Sequence, residues 1–139
     1  MSQNNTILYT GKTHTTGGRN GASRSNDSHL DIKLSVPGSD GAGTNPEQLF
    51  AAGWSACFIG AMQKASQAIG ARFPADASVD AEIDLGNTPE KGYFLQARLN
   101  VSLPGLDSTV AHTIVELAHQ TCPYSKATRG NIDVVINLI

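Results

Sequence analysis

The chain has 139 residues, of which 40% are hydrophobic and 16% are charged, and its formal net charge at pH 7 is -2. This length suits one domain, which we place at residues 1–139. So small a net charge creates no field that would attract nucleic acid or anionic lipid. No apolar run is long enough to span a membrane, and the first residues show no secretory signal. We therefore expect a cytoplasmic protein that binds neither nucleic acid nor membranes.

The first third of the chain predicts strands joined by glycine-rich loops. Leu30, Ile32, Leu34 and Val36 alternate with polar residues, which is the period of a half-buried strand. The preceding stretch TTGGRNGASRSNDS, residues 15–28, is rich in Gly, Asn and Ser and predicts a loop or a hairpin connection. A second loop is predicted from the composition of PGSDGAGT, residues 37–44.

A long apolar helix is predicted from Pro46 to about Ile69. Thr44 or Asn45 can cap its start, and Pro46 suits the first helical position. The segment contains only two charged residues, so we expect a helix that is buried on nearly every side. Such a helix is long for a small domain to cover alone. A partner subunit is also favoured by a row of small residues that would let another helix approach, namely Gly53, Ala56 and Gly60.

The second half predicts a hairpin, a second helix and a last strand. Residues 78–86 and 93–105 have strand patterns on either side of the turn-forming segment NTPEKG. Ser108 can cap a helix that reaches Thr121, and the Cys122-Pro123 pair ends or kinks it. A final strand follows at residues 131–139. The order of elements predicts an α+β fold in which helices pack on largely antiparallel sheets.

Cys57 and Cys122 are the only cysteines, and they form no CxxC motif. Cys57 lies in the apolar helix, where free cysteine often serves as a small core residue. Apolar surroundings raise the pKa of a thiol, so chemistry at Cys57 would require a neighbouring cation. Cys122 follows the C-terminal end of a helix, where the dipole disfavours a thiolate. It is either a bystander or a thiol that reacts second, with another sulfur.

Arg19, in the segment GGRNG, is the candidate cation, and Glu47 is its candidate partner. The alternatives are a solvated loop arginine and an acid that favours the helix dipole. Glu47 precedes Cys57 by ten positions, which on a helix is a rise of about 15 Å with side chains about 80° apart. These two side chains cannot touch on one straight helix. Either the helix breaks near Gly53, or one of the two residues comes from a second subunit.

Other chemistries have weaker support. His112, His119 and Cys122 have helical spacing and could touch a metal, but no second ligand cluster accompanies them. The segment GWSAC lacks the GxSxG pattern of a hydrolase nucleophile. We therefore expect no metal site.

Three blocks, GGRNG, TNPEQLFAAGWSACF and TCPYSKATRGNIDV, together resemble the organic hydroperoxide resistance (Ohr) family of the osmotically inducible protein C (OsmC) superfamily. The resemblance extends over nearly the whole chain. It implies an intertwined α+β homodimer, with a central buried helix, a second helix that bears Cys122, and two active sites at the subunit interface. The sequence departs from the family at Ser28, where we expect the glycine of an Asp-Gly turn, and at Trp54, where tyrosine is common.

The resemblance also implies a thiol-dependent peroxidase for organic hydroperoxides that uses neither metal nor cofactor. Cys57 would be the peroxidatic cysteine and Cys122 the resolving one, while Arg19 and Glu47 match the catalytic arginine and glutamate. A dithiol, either dihydrolipoamide or a lipoylated protein, would reduce the resulting disulfide. An apolar substrate pocket would be lined by residues that could equally be core, with Tyr124 bordering the reductant's path: Phe50, Trp54, Phe58, Met62 and Tyr124.

Two other functions stay open. The OsmC branch of the superfamily has overlapping chemistry, although the short chain and the block around Cys57 favour the Ohr branch. A protein of the same fold could also be a dimer without enzymatic activity, either a redox sensor in which Cys57 detects oxidant or a carrier of a lipophilic ligand.

Overall fold

The computed structural model describes residues 5–139, which form two compact units. The first unit ends at Pro46 and contains three short strands. The second, Glu47–Ile139, contains a three-stranded sheet and three helices. The predicted α+β class is confirmed. Within residues 5–139, no helix combines the length and the apolar character needed to cross a membrane.

The first unit is an antiparallel sheet in the order β1-β2-β3. Its strands are β1 (Thr13–Thr16), β2 (Ala22–Ser25) and β3 (Asp31–Lys33). The segment 15–28, predicted as a loop or connection, therefore contains the whole of β2. The strand β3 is shorter than its alternating pattern suggested, because Leu34 leaves the ladder and forms an isolated parallel bridge with Thr44.

A 3₁₀ turn, Gly18–Asn20, joins β1 to β2 and carries Arg19. The turn begins at Gly17, which has a left-handed φ of 76°. At its other end, a Cβ on Gly21 would lie 1.7 Å from the carbonyl oxygen of Thr16. Neither position accepts a side chain, so the glycines around Arg19 are required by the backbone.

Helix α1 (Pro46–Ala68) is one unbroken helix of 23 residues. It begins at the predicted proline and ends one residue before the predicted end. Its buried side chains lie on one face, at helical spacing: Trp54, Phe58, Met62, Ala65 and Ser66. Ala52 and Ala56 are exposed, so the expectation of burial on nearly every side holds within one chain for one face only. The reason is that the core covers the helix from one side.

The second unit has a sheet in the order β4-β5-β6. Strands β4 (Ser78–Thr88) and β5 (Gly92–Ser102) form the predicted antiparallel hairpin. Strand β6 (Asp133–Leu138) pairs with β5 in parallel, whereas the other strand pairs among the described residues are antiparallel, so the sheets are largely antiparallel as expected. The parallel pairing needs a long crossover, and the helices that follow β5 supply it. The inward side chains of β5 are fully or almost fully buried in the core with α1: Ala97, Leu99 and Val101.

Two helices form the crossover, α2 (Ser108–Thr121) and α3 (Pro123–Thr128). The cap of α2 is Asp107, not Ser108, because the Asp107 carboxylate accepts the amides of the second and third residues that follow it. The short helix α3 occupies the segment predicted to end or kink the second helix. Cys122 lies between the two helices with an extended ψ of 124°, the conformation favoured before a proline.

Candidate functional site

The two cysteines of the second unit lie against each other. Cys57 is on α1 and Cys122 is the junction between α2 and α3, and both are free thiols that contact through a hydrogen bond. Cys122 is fully buried, whereas Cys57 is half-buried. The fold therefore brings together two residues that are 65 positions apart in the sequence. Cys57, on the long helix α1, is the more accessible of the two.

The surroundings of Cys57 favour its protonated form. Burial is the main cause that raises the pKa of the Cys57 thiol, and the hydrogen bond with Cys122 raises it further. A hydrogen bond from the backbone N–H of Tyr124 acts in the opposite direction, because it stabilises the thiolate. The net effect is a raised pKa. A nucleophilic role for Cys57 would thus require a cation near the sulfur.

Aromatic side chains pack together beside the N-terminal half of α1, which leads up to Cys57. The rings of Phe50 and Trp54 stack with centroids 5.3 Å apart, and the ring of Tyr124 is tilted against Phe50 at 5.9 Å. Tyr124 is 39% exposed, whereas Trp54 is fully buried. Of the five predicted pocket residues, Phe50 therefore contacts two others, Trp54 and Tyr124. Phe58 and Met62 are fully buried members of the core.

Gly53 allows Tyr124 to lie against α1. A Cβ at Gly53 would lie 3.0 Å from the Tyr124 hydroxyl and 3.4 Å from its ring. Gly53 is one helical turn before Cys57, so the aromatic ring covers the helix next to the sulfur. Gly53 is the first of the small residues that were predicted to let another helix approach, and it contacts a side chain of its own chain. Ala56 is exposed and Gly60 has open space at its Cβ position, so these two remain candidates for contact with a partner.

Ser125 is a residue of this site that sequence reasoning missed. The Trp54 indole N–H donates to the Ser125 hydroxyl oxygen at 3.3 Å, and both side chains are fully buried. Its position three residues after Cys122 could have indicated that the two side chains lie on the same side of a helix. This spacing is informative only within a helix, and the segment was not predicted to be helical.

Arg19 and Glu47 lie in different elements of the structure. Arg19 lies in the 3₁₀ turn of the first unit, and Glu47 lies in the first turn of α1. Because α1 is unbroken, the alternative that it breaks near Gly53 is wrong. Glu47 and Cys57 are therefore separated by about 15 Å along the helix axis. A site that uses both residues has to take one of them from a second subunit or bridge that gap.

The histidines of α2 line a cavity to which neither cysteine contributes. A cavity of about 370 Å³ is lined by residues of α2 and the chain beyond α3, among them His112, Glu116, His119 and Arg129. Burial lowers the pKa of His119, and the nearby Arg129 charge adds to the effect. Across residues 5–139, no group of three or more His, Cys, Asp or Glu side chains is arranged to hold a metal ion.

Comparison with known proteins relates nearly the whole chain to organic hydroperoxide resistance proteins and to the OsmC-like family. Residues 37–137 match the family described as OsmC-like protein. An organic hydroperoxide resistance protein of Xanthomonas axonopodis pv. citri is 46% identical, and the alignment covers 99% of both chains. The crystal structure of OhrB of Bacillus subtilis has a TM-score of 0.89 at 38% identity, covering 96% of this chain and 100% of that one. An organic hydroperoxide resistance protein of Legionella pneumophila has the same TM-score at 40% identity, covering 96% of this chain and 98% of that one.

Proposed function

Because this chain belongs to the organic hydroperoxide resistance family of OsmC-like proteins, we propose that it is a thiol-dependent peroxidase that reduces organic hydroperoxides in oxidative stress defence. The observation that carries the proposal is the contact between Cys57 and Cys122. Two free thiols in contact, one accessible and one buried, suit a reaction in which one sulfur is oxidised and the other closes a disulfide on it.

The proposed reaction has three steps. The Cys57 thiolate attacks the outer oxygen of the hydroperoxide, so an S–O bond forms, the O–O bond breaks, and the departing alkoxide takes a proton to become an alcohol. Cys122 then attacks the Cys57 sulfenic acid, which forms the disulfide and releases water. A dithiol reduces the disulfide by exchange and is itself oxidised to a disulfide. Dihydrolipoamide, free or as the lipoyl group of a protein, is the reductant that we propose.

Arg19, held in place by Glu47, would supply the positive charge that a Cys57 thiolate needs. Burial raises the pKa of Cys57, so the thiolate needs a positive neighbour, and a guanidinium is always charged. Glu47 would hold that guanidinium by a bidentate pair. Arg19 would also stabilise the charge that develops on the alkoxide.

A homodimer follows from this role for Glu47. On the unbroken α1, Glu47 lies about 15 Å from Cys57 along the axis. We therefore propose that the two residues of one active site come from different subunits. The exposed alanines Ala52 and Ala56 leave one side of α1 available for such a contact.

The substrate is proposed to be an alkyl or lipid hydroperoxide. Phe50, Trp54 and Tyr124 place apolar rings around the start of the site, and Phe50 and Tyr124 keep part of their surface accessible. Such rings favour an apolar chain over hydrogen peroxide, because contact with them removes apolar surface from water.

The proposal is tested by turnover of cumene hydroperoxide with dihydrolipoamide as the reductant. We expect many turnovers per chain, with hydrogen peroxide a much poorer substrate. Cys57→Ser should abolish peroxide consumption, whereas Cys122→Ser should still allow one oxidation that leaves a sulfenic acid at Cys57. One stoichiometric oxidation of the unmodified protein without cycling would contradict the peroxidase and would favour a redox sensor. If Cys122→Ser prevented oxidation of Cys57, the two cysteine roles would be reversed.

A further inference from the structure

The contacts between α1 and α3 have the form of two parallel pairs. On α1, Trp54 and Cys57 are three positions apart, and beside them Cys122 and Ser125 are also three positions apart. Trp54 bonds to Ser125, while Cys57 contacts Cys122. Residues three apart lie on the same side of a helix, so α1 presents Trp54 and Cys57 together. These two side chains meet Ser125 in the first turn of α3 and Cys122 directly before that helix.

The polar pair is well placed to hold the two helices in one arrangement. Trp54 and Ser125 are both fully buried, so neither the indole N–H nor the hydroxyl can bond to water instead. Separating them would leave a buried donor without a partner, which is costly. The helix α3 has only six residues, and a helix so short takes its position from tertiary contacts.

Disulfide formation between Cys57 and Cys122 depends on the position of α3 relative to α1. A disulfide forms only when the two Cα atoms are about 4.4–6.8 Å apart with suitably directed Cβ atoms. Cys122 is held at the first turn of α3, and its carbonyl oxygen accepts the amide of Lys126 at 2.9 Å. A displacement of α3 along α1 would therefore carry the Cys122 sulfur away from Cys57.

We infer that Ser125 is a positioning residue for disulfide closure, acting through its hydrogen bond with Trp54. This inference rests on the proposed function and concerns its second step. In that step the Cys122 sulfur attacks the Cys57 sulfenic acid, the S–O bond breaks, and the hydroxyl leaves as water with the thiol proton. Ser125 exchanges no proton or electron in this step and sets only where Cys122 lies.

The test is single-turnover oxidation of the reduced full chain by one equivalent of cumene hydroperoxide, comparing Ser125→Ala with Ser66→Ala. Ser66 is a matched control, because it is also a buried serine, and its hydroxyl donates to the Gln63 carbonyl within α1. Sulfenic acid is trapped with dimedone, and the disulfide is measured by mass spectrometry. In Ser125→Ala we expect an unchanged rate of sulfenic acid formation and disulfide closure slowed by about five- to tenfold, the scale of one lost hydrogen bond.

A second readout separates positioning from loss of stability. When closure is slow, excess peroxide oxidises the waiting sulfenic acid to sulfinic acid. We expect Ser125→Ala to accumulate more sulfinic acid at Cys57, and Ser66→Ala to match the unmodified protein. Closure at the normal rate in Ser125→Ala would overturn the inference, and so would equal slowing in both variants.

If Ser125→Ala does not fold, Trp54→Phe removes the donor and keeps an aromatic ring in the core. Slow closure in this variant would support the inference, and normal closure would overturn it. Failure of the proposed function has a different signature, because the unmodified protein would then form no Cys57–Cys122 disulfide after peroxide.

Discussion

At the scale of single residues, Cys57 combines a raised pKa with a proposed role as nucleophile. Its own unit contributes burial and the Cys122 hydrogen bond, which both favour the thiol, and one Tyr124 amide, which favours the thiolate. A positive neighbour is needed to shift this balance towards the thiolate, and Arg19 is the proposed one. The identity of the residue was visible in the sequence, but its raised pKa depends first on burial and then on a neighbour 65 positions away.

Replacement of Cys122 by alanine tests this balance. The hydrogen bond with Cys122 raises the pKa of Cys57, so Cys122→Ala should lower it. Because only the thiolate reacts with iodoacetamide, the rate of alkylation of Cys57 rises with pH through its pKa. We expect the whole profile of Cys122→Ala to move to lower pH. Arg19→Ala is the opposing variant and should move the profile to higher pH. A Cys57 profile that Cys122→Ala leaves in place would show that the two thiols do not interact.

At the scale of elements, the turn between β2 and β3 contains a serine in a backbone conformation that favours glycine. Ser28 has a φ of 63° and is the one non-glycine residue among residues 5–139 with a positive φ. This is the position at which the resemblance to the Ohr family led us to expect a glycine. The turn is held by its neighbours, since the Asp27 carboxylate accepts both the Ser25 hydroxyl and the His29 amide. These bonds stabilise a backbone conformation that a serine side chain disfavours.

Ser28→Gly should therefore stabilise the protein. Glycine adopts a left-handed φ without steric cost, so we expect the free energy of unfolding to rise by about 1 kcal/mol, partly offset by the greater freedom of glycine in the unfolded chain. Urea unfolding followed by circular dichroism measures this change. Asn26→Gly is the matched control in the same turn, and it should be destabilising by about 0.5–1 kcal/mol because Asn26 has no positive φ to relieve. Destabilisation of similar size in both variants would show that Ser28 is not strained.

At the scale of the whole molecule, the continuity of α1 decides how an active site can be assembled. One chain brings Cys57 and Cys122 into contact, but it holds Glu47 two to three helical turns away from Cys57. In the proposed site, a second subunit therefore contributes one of these two residues. The side of α1 that bears Ala52 and Ala56 is where the chain leaves a small-residue surface uncovered.

Mixed dimers test this assembly. Two differently tagged chains, Cys57→Ser and Glu47→Ala, are expressed together, and the mixed dimer is purified through both tags. If the two residues meet across the interface, one site of the mixed dimer is intact, and about half of the unmodified peroxidase activity should return.

A mixture of Cys57→Ser and Cys122→Ser chains is the control. These two cysteines contact within one chain, so each site would carry one lesion and no cycling activity should return. An inactive Cys57→Ser and Glu47→Ala dimer, or a chain that native mass spectrometry shows to be monomeric, would contradict the shared site.

Local signals in the sequence were sufficient to predict several elements. Pro46 and the apolar run predicted α1 almost to the residue, and alternation around NTPEKG predicted the β4–β5 hairpin, because helix caps and side-chain periods act over a few residues. The motif blocks also singled out both cysteines. Tertiary structure alone decided the parallel pairing of β6, the short helix α3 and the Trp54–Ser125 hydrogen bond. These features depend on contacts between distant segments, which leave no periodic trace in the chain. The closeness of Cys57 to Cys122 has the same origin, since it exists only once α3 has packed on α1.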